Sequence, residues 1–271
     1  MHKRPTLNWL VGPSADTLNA LWPGLTIEVL ADIDSTNTEL MRRARAGHTQ
    51  PTLLVAEQQS AGRGRLGRNW KSGAGQPGDA LTFSLALPLA PADWSGLSLA
   101  VGLAVAESLH PGIGLKWPND LWLQDRKLAG ILIETAAALG RASGVRQVVI
   151  GVGINIAPLT AQGLNTPPAW LRELLPEIDA PGALGRIAAP LLSAVQAFAL
   201  AGFAPLVPRY AARDVLAGRR VCLSHGGEGV ARGVAANGAL RVHTDEGWQE
   251  VSSAEVSVRP QAPLPRHTGE T

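Results

Sequence analysis

The chain has 271 residues but a single cysteine, Cys222. One cysteine excludes a disulfide framework and any zinc module built on several cysteines. The N-terminal residues lack the continuous apolar core of a signal peptide, because Pro5, Asn8, Gly12 and Pro13 interrupt them. No apolar run approaches the ~20 residues that a membrane helix needs. We therefore expect a cytoplasmic protein with no membrane partner.

Lysine is also scarce. Of the 24 basic residues, 20 are arginines, and the lysines are only Lys3, Lys71, Lys116 and Lys127. In this background a lysine can be kept for its compact charge and three donors, which a guanidinium does not reproduce. Chance is an equal alternative for any one of them. The formal net charge of +2 gives no indication of a nucleic-acid partner.

Apolar periodicity divides the chain into a mixed α/β body and a β-rich end. The patterns predict strands at 26–34, 52–58, 81–87 and 145–156, and helices at 36–46, 95–110, 182–201 and 205–217. A hairpin is predicted to turn at 125–126. After Gly218, short strands alternate with glycine turns, and Asn237-Gly238 is a strong hairpin signal. We expect a small β-barrel there, followed by a tail without an apolar pattern.

The segment 57–71, EQQSAGRGRLGRNWK, alternates three glycines with three arginines. Glycine lets backbone N–H groups approach an anion, and arginine donates in pairs to phosphate or carboxylate. The tryptophan that follows can stack on a base. The alternative is a disordered linker of the kind found in RNA-binding tails, but such tails lie at termini and this segment lies between two predicted strands. The spacing matches neither the Walker loop nor the GxGxxG fingerprint.

Two of the four lysines lie in one segment, GLKWPNDLWLQDRKLAGILIE at 114–134. Because proline is excluded from a central strand, 116–120 is predicted to be a loop at a strand end. Asp120 is a candidate Mg²⁺ ligand, since Mg²⁺ commonly takes one or two carboxylates together with substrate phosphates. Asn119 and Asp120 as simple turn formers are the alternative.

Strict alternation would place Lys127 on the same face as Ala129, Ile131 and Ile133. A lysine that points into the interior is costly unless it is paired, and a bound carboxylate or phosphate would be such a partner. A strand-end lysine that reaches solvent is an equal alternative.

Other polar residues also lie at predicted strand ends. Asn155 ends an apolar strand, and an asparagine can read adenine through its amide, although a tight turn is the commoner reason for this residue. Ser35, Thr36 and Asn37 precede a helix, where Thr36 and Glu39 have capping-box spacing, so these residues could be only a cap. As a group they indicate a site, because sites in α/β proteins usually form at strand ends.

The sequence resembles the biotin protein ligase family in five motifs: STN at 35–37, GRGRLGRNW at 62–70, KWPNDL at 116–121, KLAGILIE at 127–134 and GVGIN at 151–155. The resemblance implies an α+β fold, in which a class II synthetase-like catalytic domain has a mixed sheet flanked by helices and precedes a small SH3-like β-barrel. We therefore expect an N-terminal extension at 1–25, the catalytic domain at 26–217, the barrel at 218–260 and a flexible tail at 261–271.

The resemblance also implies a two-step reaction. The carboxylate of biotin attacks the α-phosphate of ATP, which gives biotinyl-5′-AMP and pyrophosphate. A lysine of a biotin carboxyl carrier protein or domain then attacks this mixed anhydride. Neither step needs a nucleophile from the enzyme, and none is recognisable in the sequence. Catalysis would then rest on positioning and charge stabilisation, with ATP and Mg²⁺ required.

Residue roles follow from the same resemblance. Biotin would be held by Ser35, Thr36, Asn37, Gln59, Arg63, Gly64, Arg65 and Lys127. ATP would be held by Arg68, Trp70, Lys116, Asn119, Asp120, Asn155 and Arg259. Lys127, Arg65 and Arg68 would act on the reacting groups, and Asp120 would hold Mg²⁺.

Three alternatives and one departure accompany this interpretation. A lipoate ligase or octanoyltransferase would share the fold and the transfer to lysine, a Gly/Arg-loop protein would bind nucleic acid, and a ligand sensor would form the adenylate without an acceptor. Bifunctional family members carry an N-terminal DNA-binding domain, for which the residues before the first predicted strand are too few. We expect no DNA partner, and a homodimer stays open.

Overall fold

The computed structural model describes residues 7–9, 13–70, 76–137, 144–159, 168–223, 227–252 and 258–260. Its helices are α1 (Pro13–Leu21), α2 (Thr36–Arg45), α3 (Leu97–Leu109), α4 (Ala180–Ala201) and α5 (Val207–Ala211). Its strands are β1 (Thr26–Ile33), β2 (Thr52–Gln59), β3 (Ala80–Leu89), β4 (Gly114–Lys116), β5 (Asp120–Leu123), β6 (Arg126–Ala137), β7 (Arg146–Asn155), β8 (Arg220–Leu223), β9 (Glu228–Val234), β10 (Leu240–Thr244), β11 (Gly247–Val251) and β12 (Val258–Pro260).

A mixed seven-stranded sheet, in the order β1-β2-β3-β7-β6-β5-β4, forms the body. β1 and β2 run parallel, so their connection must cross over the sheet, and α2 is that crossover. The other neighbouring strands are antiparallel. The prediction of a mixed sheet with helices is confirmed.

The two faces of this sheet are covered differently. Apolar side chains of α1, α3 and α4 pack on one face in a large core with alternate residues of the central strands, such as Phe83 and Ile150. α2 covers part of the other face through Leu40 and Met41, which pack on Leu54. The remainder of that second face is therefore free to form a site.

Helix α4 is long and apolar enough to cross a membrane by length and composition alone. Its mean hydropathy over the best window is 1.5. The sequence-based statement that no apolar run approaches the length of a membrane helix is therefore wrong for α4. Residues such as Leu184, Ile187 and Leu191 are completely or almost completely buried in the core of the body. The hydropathy of α4 thus reflects a core helix, which passes the same test.

The β-rich end is a second, antiparallel sheet in the order β11-β10-β9-β8-β12. The predicted turn at Asn237-Gly238 joins β9 and β10, with the Gly238 N–H donating to the Ala235 carbonyl at 2.8 Å. Among the described residues the two edge strands of this sheet do not pair, so no closed barrel is seen. The tail at 261–271 lies outside the described residues.

Several element boundaries differ from the sequence predictions. The β5–β6 turn lies at Gln124 and Asp125, both with positive φ, because Leu123 already pairs with Arg126. The helix predicted from residue 95 begins at Leu97 after a left-handed Gly96. The helix predicted at 205–217 is confined to α5, and the segment before β1 contains the unpredicted helix α1.

Candidate active site

An open cavity lies on the sheet face next to α2. Its lining includes the candidate residues Ser35, Thr36, Asn37, Gln59, Arg63, Gly64, Arg65, Arg68, Trp70, Lys116, Asn119, Asp120 and Lys127. Residues from five separate segments of the chain are thus brought together. Asn155 does not line this cavity, and the side chain of Arg259 lies outside the described part of the chain.

The α2 end of the cavity is a network of uncharged polar groups. The N-cap of α2 is Ser35, not Thr36, since the Ser35 hydroxyl accepts from the Thr38 N–H at 3.4 Å. This leaves the Thr36 hydroxyl and N–H to donate to Gln59 Oε1, at 3.2 and 2.8 Å. Ser84 Oγ lies 2.8 Å from both Thr36 Oγ1 and Asn37 Oδ1. These side chains do more than cap a helix, because the network fixes their orientation.

Gly151 of β7 makes room for this network. A Cβ at position 151 would lie 2.1 Å from Asn37 Oδ1, so any side chain there would displace the Asn37 amide. Asn37 is only 4% exposed, and its Nδ2 donates to Glu134 Oε2 at 2.9 Å. Gly151, the first glycine of the GVGIN motif, therefore allows the Asn37 amide to approach the backbone of β7. Its φ is not in the left-handed region.

The opposite end of the cavity carries positive charge around the β4–β5 turn. Lys116 ends β4 and Asp120 begins β5, which confirms the predicted strand-end loop. Asn119 is held in this turn, since its Nδ2 donates to the Ile131 carbonyl at 2.8 Å. Lys127 Nζ lies 2.7 Å from Asp120 Oδ1, at ion-pair distance but without hydrogen-bond alignment.

The predicted face of Lys127 is wrong. In β5, Trp122 pairs with Lys127 and the neighbouring Leu121 pairs with Ala129. Leu128 is therefore left without a partner in β5, and the register shifts there. This bulge adds one residue and moves Lys127 onto the cavity face with Gly130. A Cβ at Gly130 would lie 3.2 Å from Lys127 Nζ. The side chain of Lys127 is 42% exposed and is paired with Asp120. It therefore differs from the expected interior lysine, for which a bound anion would be the partner.

The Gly/Arg loop, residues 62–70, is closed by two pairs of backbone contacts. The Trp70 N–H donates to the Gly62 carbonyl at 2.8 Å, and the Gly64 N–H donates to the Arg68 carbonyl at 2.7 Å. Arg65 Nη1 lies 3.3 Å from Asn119 Oδ1, which connects the loop to the β4–β5 turn. Burial lowers the pKa of the Arg65 guanidinium. A closed loop of this kind presents cations to the cavity and is not a free linker.

Trp70 lies flat against the floor of the cavity. A Cβ at Gly153 would lie 2.4 Å from Trp70 Cε2, and one at Gly130 would lie 3.4 Å from Trp70 Cζ3. Lys127 Nζ is 5.8 Å from the indole centroid, at cation–π distance. Trp70 Nε1 is buried without a hydrogen-bond partner. Such a donor indicates that a polar ligand group belongs beside it.

Asn155 has a supporting position beneath the site. It is 3% exposed, and its Nδ2 donates to the Ala169 carbonyl at 2.9 Å and to the Lys127 carbonyl at 3.4 Å. Its Oδ1 is buried without a partner. The Nδ2 group thus supports the backbone of Lys127, and a contact between Asn155 and adenine stays a prediction.

Ser84 and Glu134 are site residues that the sequence analysis missed. Ser84 sits in β3, where a buried serine within an apolar strand was the available signal. Glu134 ends the KLAGILIE motif and accepts hydrogen bonds from Asn37 and Arg63. Both are identified by contacts across the sheet, which no local pattern shows.

A Mg²⁺ ion would find one carboxylate in this cavity. Among the described residues no group of three His, Cys, Asp or Glu side chains could hold a metal. Asp120 is already close to Lys127, so its carboxylate suits Mg²⁺ only where phosphate oxygens supply further ligands. The residues present fit a metal that arrives with a nucleotide and do not form a metal cage.

The fold and the site define a class of protein: an α+β enzyme with a cavity that has uncharged donors at one end and cations at the other. Two family models match the chain. Residues 29–155 match the Biotin/lipoate A/B protein ligase family, and residues 223–259 match the biotin protein ligase C terminal domain.

Curated relatives agree with these models. The chain is 36% identical over 248 residues to the bifunctional ligase/repressor BirA of Escherichia coli. This match covers 87% of this chain and 75% of the Escherichia coli protein. It is 32% identical over 251 residues to the biotin--[acetyl-CoA-carboxylase] ligase of Paracoccus denitrificans, over 84% of this chain and 98% of that one. The chain therefore belongs to the biotin/lipoate protein ligase family, and its homologues are biotin ligases.

Solved structures show the same fold. The biotin protein ligase of Aquifex aeolicus in complex with biotin and ATP superposes with a TM-score of 0.72 at 28% identity. The match covers 87% of this chain and 99% of the Aquifex chain. The mixed sheet with its helices is thus the biotin ligase catalytic fold.

Proposed function

We propose that this chain is an ATP-dependent ligase that activates biotin as biotinyl-5′-AMP and transfers it to a lysine of a biotin carboxyl carrier domain of the acetyl-CoA carboxylase type. The names of the Paracoccus and Escherichia coli relatives and the biotin and ATP bound by the Aquifex structure support this function. Three of the four lysines, Lys71, Lys116 and Lys127, and all five motifs lie within residues 29–155, which the family model matches.

The polarity of the cavity is the observation that carries the proposal. One end holds the uncharged network of Thr36, Asn37 and Gln59, and the other end holds Lys127 with Arg65, which contacts Asn119. Biotin has the matching polarity, since its ureido ring is neutral with donors and an acceptor and its side chain ends in a carboxylate. A molecule of this kind lies with its ring at α2 and its carboxylate at Lys127.

Positioning and charge explain the first step. Lys127 would hold the biotin carboxylate against the α-phosphate of ATP, and its ammonium would stabilise the charge that develops on the phosphate oxygens. Arg65 and Arg68 line the same end and add donors for phosphate. The carboxylate oxygen forms a bond to phosphorus, and pyrophosphate leaves with the electron pair.

The second step also needs no enzyme nucleophile. Neither histidine nor cysteine occurs among the described residues that line the cavity. The acceptor amine attacks the carbonyl carbon of the anhydride, AMP leaves, and an amide forms. The Gly/Arg loop would retain the adenylate until the acceptor arrives.

ATP would use the floor and the β4–β5 turn. Trp70 offers an aromatic face, and its unpartnered Nε1 a donor, while Lys116 and Asn119 lie beside Asp120 at the charged end. Mg²⁺ bound by Asp120 and phosphate oxygens would neutralise phosphate charge. We propose Arg259 as a further ATP contact from β12 on the resemblance alone.

The remaining expectations are also proposals. We retain the domain division at 26–217 and 218–260, with the second sheet as an SH3-like barrel and the catalytic domain related to class II synthetases. We propose a cytoplasmic enzyme without repressor function, because the Paracoccus relative, covered over 98% of its length, is named as a ligase alone. A homodimer is compatible with every observation.

The test is exchange of labelled pyrophosphate into ATP by the purified protein in the presence of Mg²⁺. We expect exchange that depends on biotin and not on lipoate or octanoate. The family model covers lipoate enzymes too, so exchange with lipoate alone would replace this function by lipoate ligation. Transfer is then tested with a carrier domain and its lysine-to-arginine variant, and DNA binding with a mobility shift at low salt.

A further inference from the structure

Glu134 joins two parts of the cavity that are distant in the sequence. It lies near the end of β6, and its side chain is 20% exposed. Its Oε1 accepts from Arg63 Nη2 at 3.0 Å, and its Oε2 accepts from Arg63 Nη1 at 3.2 Å and from Asn37 Nδ2 at 2.9 Å. A single carboxylate therefore contacts both the start of α2 and the Gly/Arg loop.

The contact with Asn37 fixes which way the amide faces. Asn37 Oδ1 is already occupied by the Ser84 hydroxyl, so its Nδ2 must point to an acceptor on the other side. Besides Glu134, the only acceptor near Nδ2 in the described part of the chain is the Leu132 carbonyl, at 3.5 Å. Without the carboxylate, the donor end of this nearly buried amide would keep only that weak contact.

The contact with Arg63 fixes the loop. The pair is bidentate, which is the most directional geometry an arginine can have with a carboxylate. It also neutralises one of the three closely spaced arginines, Arg63, Arg65 and Arg68. Repulsion between these charges favours an open loop, so the carboxylate favours the closed one.

We propose that Glu134 is a positioning residue of the biotin site, which orders the Asn37 amide and closes the Gly/Arg loop before the ligand arrives. This inference rests on the proposed function for its substrate. Glu134 is absent from the lining of the cavity described above, and its hydrogen bonds go to Asn37 and Arg63, so its role is exerted through these two residues. Its loss raises the cost of ordering the site on binding, which affects affinity more than the chemical step.

The first test compares Glu134→Gln with Glu107→Gln in biotin-dependent pyrophosphate exchange. Glu107 also accepts two hydrogen bonds from one arginine, Arg209, but lies outside the cavity. In Glu134→Gln only one oxygen can accept, so an NH₂ group faces at least one Arg63 donor, and the charge that pairs with Arg63 is lost. We expect KM for biotin to rise about tenfold with kcat within about twofold, as for a lost binding interaction, and no change in Glu107→Gln.

The double variant Arg63→Ala/Glu134→Gln tests whether the effect travels through Arg63. Residues in one network give non-additive effects, so Glu134→Gln should cost less than about threefold when Arg63 is already absent. Full additivity would overturn the role of the Arg63 pair. Equal small effects of Glu134→Gln and Glu107→Gln, or a lower kcat at unchanged KM, would overturn the positioning role altogether.

A measurement without biotin separates this proposal from the proposed function. The three loop arginines are trypsin sites, and cleavage there requires the loop to open. We expect Glu134→Gln to be cut at 63–68 at least about fivefold faster than the parent protein, with Glu107→Gln unchanged, since cleavage tracks the open population. Equal rates would contradict the loop contact even in an active enzyme. If the parent protein shows no biotin-dependent exchange, the proposed biotin ligase function is wrong. The cleavage rates still test whether the Glu134–Arg63 contact closes the loop.

Discussion

The indole of Trp70 occupies the space that a side chain at Gly153 would fill. A Cβ built on Gly153 would lie within 2.4 to 2.8 Å of three atoms of the indole ring. The two residues are far apart in the sequence, since Trp70 closes the Gly/Arg loop and Gly153 lies near the end of β7. The glycine is thus required by the position of the tryptophan.

Gly153→Ala should therefore displace the indole while leaving the strand paired. We expect pyrophosphate exchange to fall at least about tenfold, because misplacing a positioning group by ~1 Å can cost on the order of 10²-fold. The check is KM for ATP, with Gly102→Ala as the control glycine outside the cavity lining. Unchanged KM for ATP would mean that Trp70 does not position the nucleotide.

Lys127→Arg tests whether the compact charge of the ammonium is needed between the biotin carboxylate and the α-phosphate of ATP. The variant should fold normally and still pair with Asp120, since the bulge at Leu128 keeps residue 127 at the cavity. We expect exchange to fall on the order of 10²-fold, because a planar guanidinium does not replace an ammonium of that size. Arg186→Lys, on the exposed side of α4, is the control. Activity near that of the parent would make Lys127 only a strand-end cation.

Arg65→Gly tests retention of the intermediate. The variant removes the hydrogen bond from Arg65 Nη1 to Asn119 Oδ1 and adds backbone freedom to the loop. We expect biotinyl-5′-AMP to escape and label lysines of a bystander protein, measured by streptavidin blotting. Arg65→Lys, which keeps the charge, should label less. A glycine variant that retains the adenylate as the parent does would contradict a role for this side chain in closing the site.

Two glycines of the α3 region should respond oppositely to alanine. Gly96 has φ +83°, and its Cβ would lie 2.6 Å from Phe203 Cβ, so Gly96→Ala should lower the free energy of unfolding by about 2 kcal/mol or more. Gly102 is inside α3, and its Cβ would meet Ile131 Cδ1 at an ordinary 3.4 Å. Gly102→Ala should raise stability by ~0.5–1 kcal/mol through helix propensity. Urea unfolding measures both.

Asp214 should make stability depend on pH. Burial raises the pKa of its carboxyl above the ordinary 3.8, although the N–H groups of Leu216 and Ala217 act in the other direction. Between 3.8 and that raised value the unfolded chain has lost the proton that the folded protein keeps. Stability contributed by this group therefore falls as pH rises through that window and stays lower above it.

The comparison of the parent with Asp214→Asn isolates this effect. An amide oxygen can still accept from the Leu216 N–H, which donates to Asp214 Oδ1 at 2.8 Å, and carries no charge to bury. We expect the difference in unfolding free energy between variant and parent to shift in favour of the variant from acid to neutral pH. A constant difference would mean that Asp214 is charged at no cost in the folded protein.

Local signals were sufficient for most strands and for the cavity residues of the Gly/Arg loop. Alternation, glycine and proline act over a few residues, so β1, β2, β3 and β7 could be placed to within a few residues. Pro118 correctly predicted the turn before Asp120. The side on which Lys127 lies could not be predicted, because the bulge at Leu128 arises from pairing with β5.

The amino-acid sequence by itself determined the elements, the order of the motifs and the excess of arginine around one loop, since these depend on residues close together in the chain. Tertiary structure decided which of them meet. Trp117 Nε1 donates to the Gly238 carbonyl at 3.0 Å, which ties the β4–β5 turn to the second sheet, and Glu134 reaches both Asn37 and Arg63. These contacts depend on sheet register and packing between segments up to 121 residues apart, and only the folded chain sets them.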